Sequence, residues 1–274
     1  MKSILITGCS SGIGRAVAMG LKSRGYQVLA TARREEDVRQ LSELGFQSHM
    51  LDLRQPSSIA TAVDWGMNVS NGRIYGLFNN GAYGQPGAVE DLTRDCLREQ
   101  FETNLFGTHD LTTRLIPQMR QHNEGRIIQN SSLLGFVSLR FRGAYNASKH
   151  ALEGLTDTMR LELKGTGIHV SILEPGPITS NFRKNALAAL ERNIDVDKSF
   201  FAAGYKATLA RLTKEGPAAP GTLPAEACLA PLLHALESTN PKLRYRVTWP
   251  SNFFAVMKRI LPGRTLDSLL SRVE

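Results

Sequence analysis

Tyr145 and Lys149 lie four residues apart, and Ser132 precedes the tyrosine by thirteen. On a helix, positions i and i+4 share a face about 6 Å apart along the axis, so the lysine ammonium can be carried beside the phenol. A free tyrosine has a pKa of about 10, and each unit of depression needs about 1.4 kcal/mol of preferential stabilisation of the phenolate. Neighbouring cations can supply several such units. A serine hydroxyl next to the pair would hold a carbonyl or alcohol oxygen within proton-transfer distance. The three residues together point to redox chemistry at a carbonyl or an alcohol. Tyr-x-x-x-Lys alone also occurs on any exposed helix, so the chemical reading depends on what surrounds it.

The first surrounding feature is Thr7-Gly-Cys-Ser-Ser-Gly-Ile-Gly14, which follows the apolar run Ile4–Ile6 and opens a helical pattern. Gly8, Gly12 and Gly14 allow a tight turn and close approach of backbone to a pyrophosphate. The free N–H groups around Ser10, Ser11, Gly12 and Ile13 at the helix start would attract its charge. The spacing G-x-x-x-G-x-G differs from the commoner G-x-G-x-x-G. A site preferring NAD ends its second strand with an acid for the ribose diol, whereas a 2′-phosphate calls for arginine. Here that strand ends Thr31-Ala-Arg33-Arg34, which favours NADP(H). The alternative is a solvated arginine pair neutralised by Glu35 and Glu36.

The elements that would position these residues follow from periodicity. Strands are predicted at 4–7, 26–32, 47–53, 74–80, 126–131, 168–173 and 243–248. Helices are predicted at 13–24, 35–44, from Pro56 onward, over 93–119 with a kink at Pro117, from the Tyr145 segment to about 164, at 179–192 and at 225–237. Gly25 and Gly45 sit where helix C-caps are expected. Strands alternating with helices of this length imply an α/β fold, a single Rossmann-type doubly wound parallel sheet with helices on both faces and ligands at the carboxyl ends of the strands. The looser stretch from about 177 to 224 is expected to cover the substrate, and 1–274 is read as one catalytic domain.

Composition narrows the class. The chain has 274 residues, 42% of them hydrophobic, enough for a sizeable core. No apolar run reaches the eighteen or so residues of a spanning helix, and the N-terminus lacks a secretory apolar region, so a cytoplasmic protein is expected. Cys9, Cys96 and Cys228 are odd in number and widely separated, and the six histidines show no metal-binding pairing. No metal site is expected, and the cysteines are read as reduced and structural. The net charge of +8 is concentrated: Lys242, Arg244, Arg246, Lys258, Arg259 and Arg264 fall in a stretch without a single acid. No nucleic-acid motif accompanies them, and no nucleic-acid partner is expected. Because Trp249, Phe253, Phe254, Val256, Met257, Ile260 and Leu261 surround the same charges, the tail from about 249 to 274 suits either peripheral membrane contact or, more plainly, a helix docked on the core.

These motifs, taken in order, resemble the short-chain dehydrogenase/reductase family over nearly the whole chain. The resemblance implies that Tyr145 is the catalytic acid/base, that Lys149 lowers its pKa and, like Tyr145, meets the cofactor at the nicotinamide ribose, and that Ser132 orients the reacting oxygen. It implies that Asn104 supports a proton-relay water. Asp52 and Leu53 would lie near the adenine, Asn79 would stabilise the cofactor region, and Ile178 with Ser180 would contact the nicotinamide amide after the Pro175-Gly176 turn. The family's Asn-Asn-Ala-Gly stands here as Asn79-Asn80-Gly81-Ala82. Within the family, Leu243–Val247 and Met257–Arg264 look like the branch of retinol and 17β-hydroxysteroid dehydrogenases and bacterial NADPH-dependent aldehyde reductases. That branch implies a small hydrophobic aldehyde, ketone or alcohol as substrate, with reduction favoured, and a homodimer or homotetramer. A 3-oxoacyl thioester reductase shares the same catalytic residues, and a non-catalytic NADPH-binding sensor is the alternative from another class. Arg140 and Arg142 could meet an acidic end of a substrate, although solvation at the surface is the plainer reading.

Overall fold

Ile4 and Ile6 pack to one side of strand β1 (Ser3–Ile6) and Leu5 to the other, and all three are fully buried. A strand buried on both faces needs a helical layer on each. The computed structural model, which describes residues 1–273, supplies both. After β1 come α1 (Gly12–Lys22), β2 (Gln27–Ala32), α2 (Glu35–Glu43), β3 (Gln47–Met50), α3 (Pro56–Val69) and β4 (Ile74–Asn79). The second half continues through α4 (Arg94–Phe101), α5 (Gly107–Gln121), β5 (Gly125–Asn130), α6 (Gly143–Glu162) and β6 (Ile168–Glu174). It ends with α7 (Phe182–Asn193), α8 (Ala202–Thr213), α9 (Leu229–Glu237), β7 (Arg244–Arg246), α10 (Trp249–Ile260) and α11 (Gly263–Leu270).

The strands form one sheet in the order β3-β2-β1-β4-β5-β6-β7, with every neighbouring pair parallel. This is the doubly wound Rossmann-type arrangement. Val17, Ala18 and Leu21 of α1 and Leu232, Ala235 and Leu236 of α9 cover one face. Ile59 of α3, Leu111 and Leu115 of α5 and Met159 of α6 cover the other. The strand order reverses direction between β1 and β4, so the loops leaving their carboxyl ends diverge and leave a crevice there.

Three expectations need correction. The helix predicted over 93–119 is not continuous: α4 and α5 are joined by a π-helical turn, Glu102–Phe106, and the irregularity lies there rather than at Pro117, which sits within α5. The turn carries Asn104 inward to 1% exposure, where its amide bonds the backbone of Tyr83 and the Ser148 hydroxyl. Gly107 follows because a Cβ there would stand 1.8 Å from the Leu53 carbonyl oxygen. Second, the stretch read as irregular after 193 contains the three-turn helix α8, whose Tyr205, Thr208 and Leu212 are buried on one face. Gly204 obscured that pattern; it lets the Phe141 ring approach, since a Cβ would meet Phe141 Cζ at 2.5 Å. Third, the basic C-terminal stretch is only in part a free cationic surface: Lys242, Arg259 and Arg264 are exposed, but its other basic residues are engaged. Arg244 and Arg246 turn inward to Glu153, Asp157 and Glu174, and Lys258 Nζ donates to the Phe136 carbonyl.

The tail itself docks on the core. Phe254 and Leu270 are buried against Leu133, Leu134, Val137 and Leu139, while Trp249, Val256 and Ile260 stay exposed. Among the described residues, no helix is long and apolar enough to cross a membrane. The three cysteines are free and buried.

Candidate active site

The glycine turn is built as its spacing requires. Gly8 and Gly12 adopt positive φ (72° and 54°), which glycine tolerates at no steric cost. At Gly14 a Cβ would stand 2.2 Å from the Gly8 carbonyl oxygen, and at Gly12 it would stand 2.8 Å from Cβ of Ser180. The first turn of α1 has no acidic residue, and Ser11 makes no side-chain cap. Its N–H groups are therefore available to an anion, and Gly8, Ser10, Ser11, Gly12 and Ile13 line a cavity of about 640 Å³. A dinucleotide pyrophosphate fits this arrangement.

The two arginines at the end of β2 differ in availability. Arg34 is held by Asp37 through Nε and one Nη at 2.8 and 3.0 Å, so the neutralising acid is Asp37 rather than Glu35 or Glu36. The i,i+3 spacing at a helix start explains that choice. Arg33 is in none of the ion pairs or side-chain hydrogen bonds of the described residues, and its charge helps to lower the Asp52 carboxyl, whose main partner is Arg54 at 2.7 Å. Leu53 is buried beneath.

At the other end of the cavity, β5 and α6 bring the catalytic candidates together. Ser132 follows the end of β5, accepts the Leu134 N–H at 3.1 Å, and is close enough to Tyr145 to favour its ionised form. Ser131 does the opposite job: its hydroxyl turns to Glu153 Oε1 at 2.7 Å, as alternation between neighbouring side chains predicts. Lys149, 3% exposed, donates to the Asn130 carbonyl at 2.6 Å, with Nζ 5.7 Å from the Tyr145 ring centre. Ser132, Tyr145, Lys149, Pro175, Gly176, Ile178 and Ser180 all line the same cavity as the glycine turn. Gly14, Arg33, Arg34, Asp52, Leu53, Asn79 and Asn104 do not.

The expected depression of Tyr145 by Lys149 is not what the free protein shows. Burial holds the phenol up at about 12; Ser132 and then the charge of Arg142 pull the other way. The ammonium is drawn to Asn130 instead, and its own burial lowers it to about 8, opposed by Glu153. Burial outweighs the neighbouring charge at both residues.

Asn79 and Asn104 are both anchored within the protein. Asn79 donates to Thr112 at 2.8 Å and leaves its Oδ1 without a partner, and the Asn104 amide is spent on Tyr83 and Ser148. The residue that ties the glycine turn to the catalytic side is Asn80. It donates to the carbonyls of Thr7 and Gly8 at 2.9 and 3.1 Å and accepts from Asn130 at 3.0 Å. A continuous path thus runs from Lys149 through Asn130 and Asn80 to Gly8. The Gly81-Ala82 order preserves the backbone seat, because the N–H groups of Asn80 and Gly81 both donate to Thr7 Oγ1. Sequence reasoning also missed Phe182, which meets Tyr145 edge-on at 5.2 Å. Asn80 was signalled by its place in the Asn79-Asn80-Gly81-Ala82 motif, whereas the only signal for Asn130 was its place at the carboxyl end of β5.

Known proteins agree with this geometry. The family model for short chain dehydrogenase matches residues 2–191. The chain is 41% identical over 269 residues to "Uncharacterized oxidoreductase YbbO" of Escherichia coli (strain K12), covering 98% of this chain and 94% of that protein. It is 30% identical over 284 residues to "Retinol dehydrogenase 5" of Homo sapiens, covering 98% and 88%. The crystal structure of a short-chain dehydrogenase from Streptomyces avermitilis superposes with a TM-score of 0.77 at 31% identity, over 98% of this chain and 94% of that one. With its fold and its sequence both matched over nearly full length, the chain belongs to the short-chain dehydrogenase family of oxidoreductases.

Proposed function

We propose that this protein reduces a hydrophobic aldehyde or ketone to its alcohol with NADPH. The observation that carries the reading is the convergence of Ser132, Tyr145 and Lys149 with the glycine turn on one largely apolar cavity. Bound there, the cofactor supplies a hydride to the carbonyl carbon. Ser132 positions the carbonyl oxygen, and Tyr145 donates the proton that the oxygen takes up. A phenol held at about 12 keeps its proton at neutral pH, the form from which it can donate to the carbonyl oxygen. Lys149 carries positive charge toward the phenolate that forms. Segment 177–224, braced internally by Arg183, which donates to the carbonyls of Arg211, Lys214 and Gly216, acts as the substrate cover.

The test is turnover of NADPH and of NADH against medium and long-chain aldehydes, retinal, ketosteroids and 3-oxoacyl thioesters. NADPH-dependent reduction of the aldehydes or ketones is the expected result; absence of turnover across the panel, or reduction confined to the thioesters, refutes the reading.

Two further results are expected. Because Arg33 is free and Arg34 is committed to Asp37, Arg33→Ala raises KM for NADPH and leaves that for NADH nearly unchanged. A charge-assisted hydrogen bond contributes about 1.5–3 kcal/mol, and Arg33 is exposed, so solvent screening sets the increase near the low end, about tenfold. Arg34→Ala has a smaller effect. The pH profile of kcat/KM, which reports the free enzyme, holds through neutrality and falls as pH rises through about 8, where Lys149 loses its proton. An alkaline limb beginning only above 10 would assign the fall to another group.

A further inference from the structure

Among the described residues, Arg142, which immediately precedes α6, and Arg211, on α8, are half-buried cavity-lining arginines whose guanidinium groups meet neither a carboxylate nor a carbonyl. Both border the large cavity that contains Tyr145, and both border a second, smaller cavity of about 100 Å³. They therefore stand where the two spaces meet. Arg140, Thr208 and Ser271 add further donors around the smaller cavity, and neither cavity has an Asp or Glu in its lining among the described residues.

Other arginines withdrawn from solvent are provided for differently. Arg160 and Arg244 meet carboxylates at 2.6 and 2.7 Å, and Arg126 donates to the carbonyls of Leu236, Gly125 and Ser238. Arg142 is pushed down by burial and then by the like charge of Arg211, and Arg211 by burial and then by Arg183. Two like-charged guanidinium groups, each partly withdrawn from water, favour an anion that joins them. A planar carboxylate matches the guanidinium fork, and a space of about 100 Å³ admits a group of that size. The walls of the large cavity that holds Tyr145 and both arginines include the apolar side chains of Leu139, Phe182, Leu212 and Val273.

We propose that the substrate is an oxo acid, with an apolar spacer between its reacting carbonyl and a terminal carboxylate received by Arg142 and Arg211. This rests on the reductase reading for the reacting end only; the carboxylate site is testable without turnover. The probes are straight-chain ω-hydroxy carboxylates of graded length and their methyl esters, titrated calorimetrically into the full-length protein saturated with NADPH, a pairing in which no redox step is available. The carboxylate should bind about tenfold to a hundredfold more tightly than its ester at the best-matched length, and added salt should narrow the difference. Arg211→Met should abolish the preference and Arg211→Lys retain part of it, with Arg142→Met as the independent second variant. Equal affinities for acid and ester in the wild-type protein, or a preference that survives both methionine variants, overturns the proposal. Should no carbonyl compound be reduced while the acid preference holds and follows Arg211, the reductase reading falls and the carboxylate site stands.

Discussion

Tyr145→Phe is expected to lower kcat for aldehyde reduction by about a hundredfold to ten-thousandfold, the range over which a positioned proton donor acts. The substitution removes one hydroxyl and keeps the ring that packs edge-on against Phe182, so the fold and NADPH binding should persist. Stopped-flow measurement of NADPH oxidation separates the two effects: the cofactor still binds, and the transfer step slows. Full turnover by the variant would mean that the proton comes from elsewhere, and Ser132 or a solvent path would have to replace Tyr145 in the account.

The second large effect is on stability. Arg244 joins Asp157 at 2.7 Å, Glu174 at 2.9 Å and Glu153 at 3.5 Å, and the Glu174 side chain is 1% exposed. Removing one partner of a buried ion pair costs about 3–5 kcal/mol, because the charge left behind is desolvated and unanswered. Arg244→Leu should lie near the lower end, since Arg246 still reaches Glu174 at 3.0 Å. Urea denaturation at neutral pH measures the loss. The sign of its pH dependence identifies the cause. Burial raises Glu153 and raises Glu174 to about 7, and both rise further once the guanidinium is gone. Lowering the pH therefore protonates them more readily in the variant, and the deficit shrinks from pH 8 to pH 5. A deficit constant over that interval would indicate lost packing instead of buried charge.

Much of this arrangement was legible in the chain because it is local. The strand, glycine turn and helix from Ser3 to Lys22 are contiguous, and Tyr145 and Lys149 are fixed by the pitch of one helix. The Arg34–Asp37 pair was equally local and could have been preferred to Glu35 or Glu36 on spacing alone. What remained hidden depends on contacts distant in sequence. Asn80 reaches both Gly8 and Asn130, Gly204 in α8 answers to Phe141, and the π-helical turn at Asn104 is held by Tyr83 and Ser148. The electrostatics of Tyr145 and Lys149 were misjudged for the same reason: the spacing gives the pair's proximity, whereas the burial that dominates both groups comes from the assembled fold.

The central claim is hydride transfer from a bound nicotinamide to a substrate carbonyl, with Tyr145 supplying the proton. It is tested most directly with NADPH deuterated at the transferable ring carbon, using each epimer in turn with a hydrophobic aldehyde, and mass analysis of the alcohol. One epimer should place deuterium on the carbinol carbon, and the rate of that transfer should fall in Tyr145→Phe by the factor given above for kcat. Alcohol formed without deuterium from either epimer, or no alcohol formed by protein that binds NADPH, would contradict the account.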